Sequence, residues 1–204
     1  SSSAVIHFLM DLNQRAHKQA ITEIEALKCF AKKEYGLEEI APWDIAYLSE
    51  KMRQKHYALS EEELRPYFPL PKVMDGLFTI LNQLYGMSME LVTDVDTWHP
   101  EVTCYRVKDA NNEVRGYLYA DLFARQNKRG GAWMDSCQSR RKGLDGHLQI
   151  PVATLTCNFA KPAANKPPTL SHDEVITLFH ELGHCLHHIL TQVDYISASG
   201  IHGV

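Results

Sequence analysis

His180-Glu181-Leu182-Gly183-His184 is the pentapeptide of this chain whose residue types and spacing could do chemistry. On a helix, two histidines four residues apart point their imidazoles the same way, and the Glu between them lands beside whatever they hold. Neutral imidazole is a good ligand for Zn²⁺, and two of them one turn apart can share one tetrahedral ion. Three protein ligands and a water complete a catalytic site of this kind. The ion lowers the pKa of that water, and a nearby carboxylate can take its proton and pass it to a leaving amine. The expected roles are therefore His180 and His184 as metal ligands and Glu181 as general base rather than ligand.

The third ligand separates the alternatives. The pattern H-E-x-x-H-x-x-G-x-x-H asks for Gly and His at positions where this chain has His187 and Leu190, so that reading is rejected. Another pattern takes a Glu from a following helix, but no Glu follows Glu181. Asp194, His202, His187 and His188 are the remaining donors. The preferred expectation is that the 204 residues are a fragment, with the ligand a Glu beyond Val204 and the fragment inactive alone. Its site would then hold metal weakly or not at all.

The motif needs a helix. Ser171 as N-cap with Glu174 three residues on forms a capping box, after Pro167 and Pro168. Val175, Leu178, Phe179, Leu182, Leu186, Ile189 and Leu190 recur at helical spacing to about residue 192. Asp173 shares the face of His180 and could cap the helix or orient an imidazole. His99, His147 and His172 read as surface or capping residues. Cys185 points away from the histidine stripe.

Upstream, a long amphipathic helix runs through Val5, Phe8, Leu9, Leu12, Ala16, Ala20, Ile24, Leu27 and Phe30 to Gly36. A second spans about Pro42 to Tyr57, a short capped turn opens at Ser60, and another helix spans about Pro71 to Tyr85 before Gly86. The period then changes to two. Strands are expected at 102–107 and 114–123, around a turn at 109–112, and at 130–136 and 151–159. A Pro-rich loop covers 161–168. The fold class is α+β and mainly helical: helices over about 1–86, a small mostly antiparallel sheet over 87–160, and the loop and metal helix over 161–204.

Composition is ordinary for a globular protein, 45% hydrophobic and 23% charged, with net charge −4. With no basic cluster, nucleic acid is not an expected partner. No apolar run reaches the length of a membrane span. Five scattered cysteines without C-x-x-C spacing suit the reduced thiols of a cytoplasmic protein.

Thr177-Leu178-Phe179-His180-Glu181-Leu182-Gly183-His184-Cys185-Leu186-His187-His188 resembles the metal helix of the thimet oligopeptidase family of zinc metallopeptidases. The likeness continues in Pro42-Trp43-Asp44-Ile45-Ala46-Tyr47, Leu64-Arg65-Pro66-Tyr67-Phe68, Lys128-Arg129-Gly130-Gly131-Ala132-Trp133-Met134-Asp135 and Leu155-Thr156-Cys157-Asn158-Phe159, in family order. It is closest to the family's bacterial oligopeptidases. The resemblance implies one segment of a larger two-lobed, zincin-like peptidase that cleaves short peptides in a channel between largely helical halves. It implies zinc held by His180, His184 and a downstream Glu, with Glu181 as base and the remainder of a parent chain as partner. The family's downstream Tyr and His that hold the substrate have no counterpart here. Members also bind substrate backbone along an edge strand near the metal helix, and Pro151–Phe159 reads as that strand. Two alternatives stay open: a non-catalytic helical binding or scaffold module with a degenerate motif, and another zinc hydrolase of the deformylase kind.

Overall fold

The computed structural model describes residues 1–58, 60–161 and 167–203, in two compact units, Ser1–Glu63 and Leu64–Val204. Most of the Pro-rich loop expected over 161–168 lies outside the described residues.

The first unit is helical. Helix α1 spans Ser2–Tyr35 and stops at Gly36, whose left-handed φ of 67° lets its N–H close back on the last turn. Helix α2 spans Asp44–Tyr57, and α3, Glu61–Leu64, opens on the expected capping box between Ser60 and Glu63. Pro42 lies outside α2 rather than in its first turn: Trp43 is the N-cap, and the Asp44 carboxylate accepts from the Ala41 N–H at 3.0 Å. Leu27, Ala31 and Leu48 form the core of this unit, packed by Ile40 and Met52. Val5, Phe8, Leu9 and Leu12, at the other end of the α1 stripe, are exposed.

The second unit carries the motif. A 3₁₀ turn at Arg65–Tyr67 leads into α4, Leu70–Tyr85, ended by Gly86 at φ 66°. Seven strands follow among the described residues: β1 Ser88–Val92, β2 Thr103–Lys108, β3 Val114–Phe123, β4 Trp133–Gln138, β5 Arg141–Lys142, β6 Leu148–Gln149 and β7 Val152–Phe159. Helix α5, His172–Leu190, completes the unit before two 3₁₀ turns at Ile196–Ala198 and Gly200–Gly203. The main sheet has the order β1-β2-β3-β7-β4, with β3 and β7 parallel and the other pairings antiparallel. β5 and β6 form a separate hairpin. The α+β reading and the mostly antiparallel sheet hold, and β1, β5 and β6 are additional strands.

One expectation is corrected. Pro151–Phe159 is not an edge strand, because β7 is paired on both sides, with β3 and with β4. Ala153 to Cys157 are all buried, the unbroken run of a strand covered on both faces. The edge beside β7 is β4.

The core lies on the sheet face covered by α4 and α5. Leu70, Met74, Leu77 and Leu81 of α4 and Leu178, Leu182, Cys185, Leu186 and Ile189 of α5 pack on Leu118, Ala120, Leu122, Ala153, Leu155, Cys157 and Phe159. The alternate numbering of the strand residues is the period of the pleat. At Gly116 in β3 backbone and core approach closely. A Cβ there would stand 2.5 Å from the Pro151 carbonyl oxygen and 3.1 Å from Ile189 Cγ2, with backbone as the obstacle. Gly116→Ala should therefore cost about 1–3 kcal/mol, as overpacking does, read as a lower midpoint of chemical denaturation.

Candidate functional site

The helix that carries the motif is set at its start and along one face. Ser171 Oγ accepts from the Glu174 N–H at 3.1 Å, and Glu174 Oε2 accepts from the Ser171 N–H at 2.7 Å, the expected capping box. Arg65 donates to Glu174 Oε2 at 3.0 Å and to the Thr169 carbonyl at 3.2 Å. Backbone bonds from Leu70 to Pro168 and from Leu170 to Phe68 tie the entry of α5 to the entry of α4. Beyond the cap, Leu178, Leu182, Cys185 and Ile189 are buried against the sheet.

That burial turns His180 and His184 outward. Both are exposed, with Glu181 half-buried beside them. Their rings stand edge to face, 4.8 Å between centroids, and the two Nε2 atoms converge to 3.2 Å. Two nitrogens bound at 2.0–2.1 Å to one tetrahedral ion stand about 3.3–3.4 Å apart. The pair could thus hold one ion with little adjustment. Among the described residues, no group of three His, Cys, Asp or Glu side chains is placed to hold a metal.

The four other donors considered lie elsewhere. Asp194 accepts from Arg140 Nε at 2.9 Å. His202 is 3.5 Å from Ser136 Oγ. His187 is exposed in a groove with Tyr85, Gly183, Leu186 and Leu190. His188 is fully buried. Asp173 is a first-turn carboxylate, 89% exposed and 4.0 Å from His172, not an imidazole partner within the motif. His99 accepts from the Glu101 N–H at 3.2 Å and caps a turn. Cys185 faces the sheet, its thiol 3.6 Å from the Thr154 carbonyl. Burial first, and the Glu181 carboxylate second, push both Cys157 and Cys185 up to about 12. These thiols stay protonated near neutral pH and are poor ligands there.

Sequence reasoning did not identify β4 as a feature of the site. Helix α5 packs over β7 and β4 and runs antiparallel to β7: Cys185 meets Thr154, and His188 meets Gln138, the register partner of Val152. It therefore runs in the same sense as β4. Glu181 lies seven residues before His188, about 10 Å back along the helix. That is about three strand residues, which sets Glu181 level with the first half of β4.

The segment that delivers β4 is clamped twice. The buried Asp121 carboxylate accepts two bonds from Arg125, at 2.6 and 2.7 Å, one from Lys128 Nζ at 2.9 Å and one from Trp98 Nε1 at 3.0 Å. Lys128 also donates to the Asp121 and Phe123 carbonyls. Farther on, the Asn158 amide donates to the carbonyls of Arg129 and Gly131, at 2.8 and 2.7 Å, and Gly131 takes a φ of 96° that favours glycine. The signal in the sequence was the Lys128–Asp135 motif itself, whose spacing does not disclose its partners. A cavity of about 450 Å³ between α4 and strands β1–β3, lined by Met74, Phe78, Met89 and Tyr105 among others, contains none of the motif residues.

Compared with known proteins, the chain matches the model of Peptidase family M3 over residues 1–203. It is 54% identical over 200 residues to oligopeptidase A of Salmonella typhimurium, covering 98% of this chain and 29% of that protein. It is 39% identical over 203 residues to the organellar oligopeptidase A, chloroplastic/mitochondrial, of Arabidopsis thaliana, covering 96% of this chain and 26% of that one. Identity to the dipeptidyl carboxypeptidase of Escherichia coli is 35% over 198 residues, 97% and 29% of the two chains. The chain thus spans under a third of the length of these relatives.

The Asp121 cluster has a pH signature. Burial opposes ionisation, but the bonds from Arg125, Lys128 and Trp98 outweigh it and hold the carboxyl well below the usual range. A depressed folded pKa contributes stability that is complete above the unfolded value of about 4 and is lost as pH falls below it. Asp121→Asn, which leaves the buried Lys128 ammonium without its counter-charge, should cost about 3–5 kcal/mol at pH 7. Denaturant unfolding of wild type and variant should show that gap narrowing between pH 4 and pH 2.

Proposed function

The chain belongs to peptidase family M3, and on that premise we propose that it is the metal-helix segment of a zinc-dependent metalloendopeptidase that hydrolyses short oligopeptides. The observation that carries the reading is the imidazole pair, Nε2 to Nε2 at 3.2 Å, with Glu181 between them on one helix. His180 and His184 would hold the ion, and the two nitrogens stand close to the separation that a shared tetrahedral ion requires. Zinc, when bound, supplies Lewis acidity that eases deprotonation of water and polarises a peptide carbonyl.

The remaining work falls to the chain's own groups. Glu181 is half-buried, beside the histidines and level with the start of β4. Its carboxylate accepts a proton from the attacking water and returns it to the departing amine. β4 is an edge strand, so a peptide laid along it would gain main-chain hydrogen bonds whatever its side chains. That suits broad sequence tolerance toward short peptides. The Asp121 and Asn158 clamps hold the segment that delivers this edge, which limits the entropy lost on binding.

The third ligand, a Glu, comes from outside these residues, and the isolated chain is inactive. The working partners are a short peptide and the remainder of the parent chain. A cytoplasmic location suits the free cysteines, and no described helix is long and apolar enough to cross a membrane. The deciding experiment uses the full-length protein. Glu181→Gln should lower kcat on a fluorogenic peptide by about 10²–10⁴-fold, while elemental analysis still finds one zinc per protein. His180→Ala should lose the zinc as well. Undiminished turnover in Glu181→Gln would overturn the role of Glu181.

A further inference from the structure

His188 is the imidazole of α5 that turns inward. It is wholly buried, whereas His180, His184 and His187 are exposed. Its Nε2 lies 2.9 Å from the Gln138 carbonyl oxygen at the end of β4. A carbonyl only accepts, so Nε2 carries the proton, and in the neutral ring Nδ1 presents a lone pair. That Nδ1 is buried without a partner among the described residues, and so is the hydroxyl of Ser199.

Ser199 adjoins Gly200, which is packed on the same side chain. A Cβ at Gly200 would stand 2.7 Å from His188 Nδ1 and 2.9 Å from its Cα, and the φ of Gly200 is 57°. A buried acceptor and a buried hydroxyl, each without a partner among the described residues, thus belong to one junction, the hydroxyl one residue from the glycine that packs on the imidazole. A buried polar atom left alone is costly, and a side-chain rotation that brings the hydroxyl onto Nδ1 removes the cost of both.

We propose that His188 is a positioning residue that ties β4 and the Ser199–Gly200 corner to the metal helix. Its Nε2–H donates to the Gln138 carbonyl, and its Nδ1 is the buried acceptor that a reoriented Ser199 hydroxyl would satisfy. This rests on the peptidase reading above. β4 is the edge on which a peptide would lie, and His188 secures its last residue from a point two turns beyond His180 and one beyond His184. Loss of the tether lets β4 slide relative to Glu181, so the damage falls on substrate alignment and leaves the metal ligands in place.

The test uses the full-length protein. His188→Leu removes the bond to Gln138 and the Nδ1 acceptor at similar volume and should lower kcat/KM on a fluorogenic peptide about tenfold or more, mainly through KM, with zinc content unchanged. His188→Gln can donate to the same carbonyl and should recover most of the loss. Ser199→Ala should give a smaller loss of the same kind. Amide hydrogen exchange in segments 136–139 and 198–201 should quicken in His188→Leu and return toward wild type in His188→Gln. Wild-type kcat/KM with unchanged exchange in His188→Leu would overturn the proposal. So would a loss confined to kcat, or an equal loss of zinc. If His188→Leu does not fold, Ser199→Ala and His188→Gln carry the same comparison. If the wild-type enzyme cleaves no peptide, the functional reading fails, and exchange alone decides whether His188 is the tether.

Discussion

One helix face decides the rest. An α-helix cannot bury Leu178, Leu182, Cys185 and Ile189 against a sheet without aiming its opposite positions outward. His180 and His184 fall on those positions, one turn apart, and so meet at 3.2 Å. Burial of apolar area contributes about 25 cal/mol per Å². Four such side chains therefore hold the helix orientation far more strongly than any single hydrogen bond at the site could. The imidazoles need no polar partner to converge, because the core on the far side of the helix brings them together.

The sheet supplies the second half of that arrangement. β7 is inserted between β3 and β4, parallel to one and antiparallel to the other. It gives α5 a surface to pack on and leaves β4 at the edge. Where a buried face must also carry charge, the structure concentrates it. Asp121 gathers Arg125, Lys128 and Trp98 around one carboxylate, so that the buried Asp121 and Lys128 charges face each other while the Arg125 guanidinium reaches solvent. The result is a loop held at both ends, by Asp121 before it and by Asn158 at its glycines.

Much of this was legible in the sequence, for identifiable reasons. The capping box at Ser171, the stop signals at Gly36 and Gly86, and the apolar spacing of α4 and α5 are local, and local rules read them correctly. The H-E-x-x-H spacing is local too. What did not show was pairing at long range. Five consecutive buried residues in β7 mark a central strand, whereas the family resemblance assigns an edge strand to this segment. The strand expected at 130–136 is observed as β4, Trp133–Gln138, but its place at the sheet edge is set by its pairing with β7, which no local pattern discloses. The short strands β5 and β6 have two residues each and no period to detect. His188 was indistinguishable from its neighbours in a run of histidines until the helix was oriented.

That run shows how one period can assign three tasks. Positions 180 and 184 differ by 400° of rotation and share a face, whereas 188 has drifted a further 40° past them. The drift suffices to carry His188 off the exposed stripe and into the contact with Gln138 and Gly200. His187, about 100° behind it, stays in the open groove by Tyr85. Imidazole suits each setting for a different reason: paired lone pairs at an exposed stripe, one donor and one acceptor at a buried junction, and a solvated ring at the surface. Because all of them ride on one rigid helix about 28 Å long, a displacement at the His188 junction is felt at the motif as a change in register against β4. The spacing between the edge strand and the histidine pair is thus set partly from a helix face turned about 40–80° away from the chemistry.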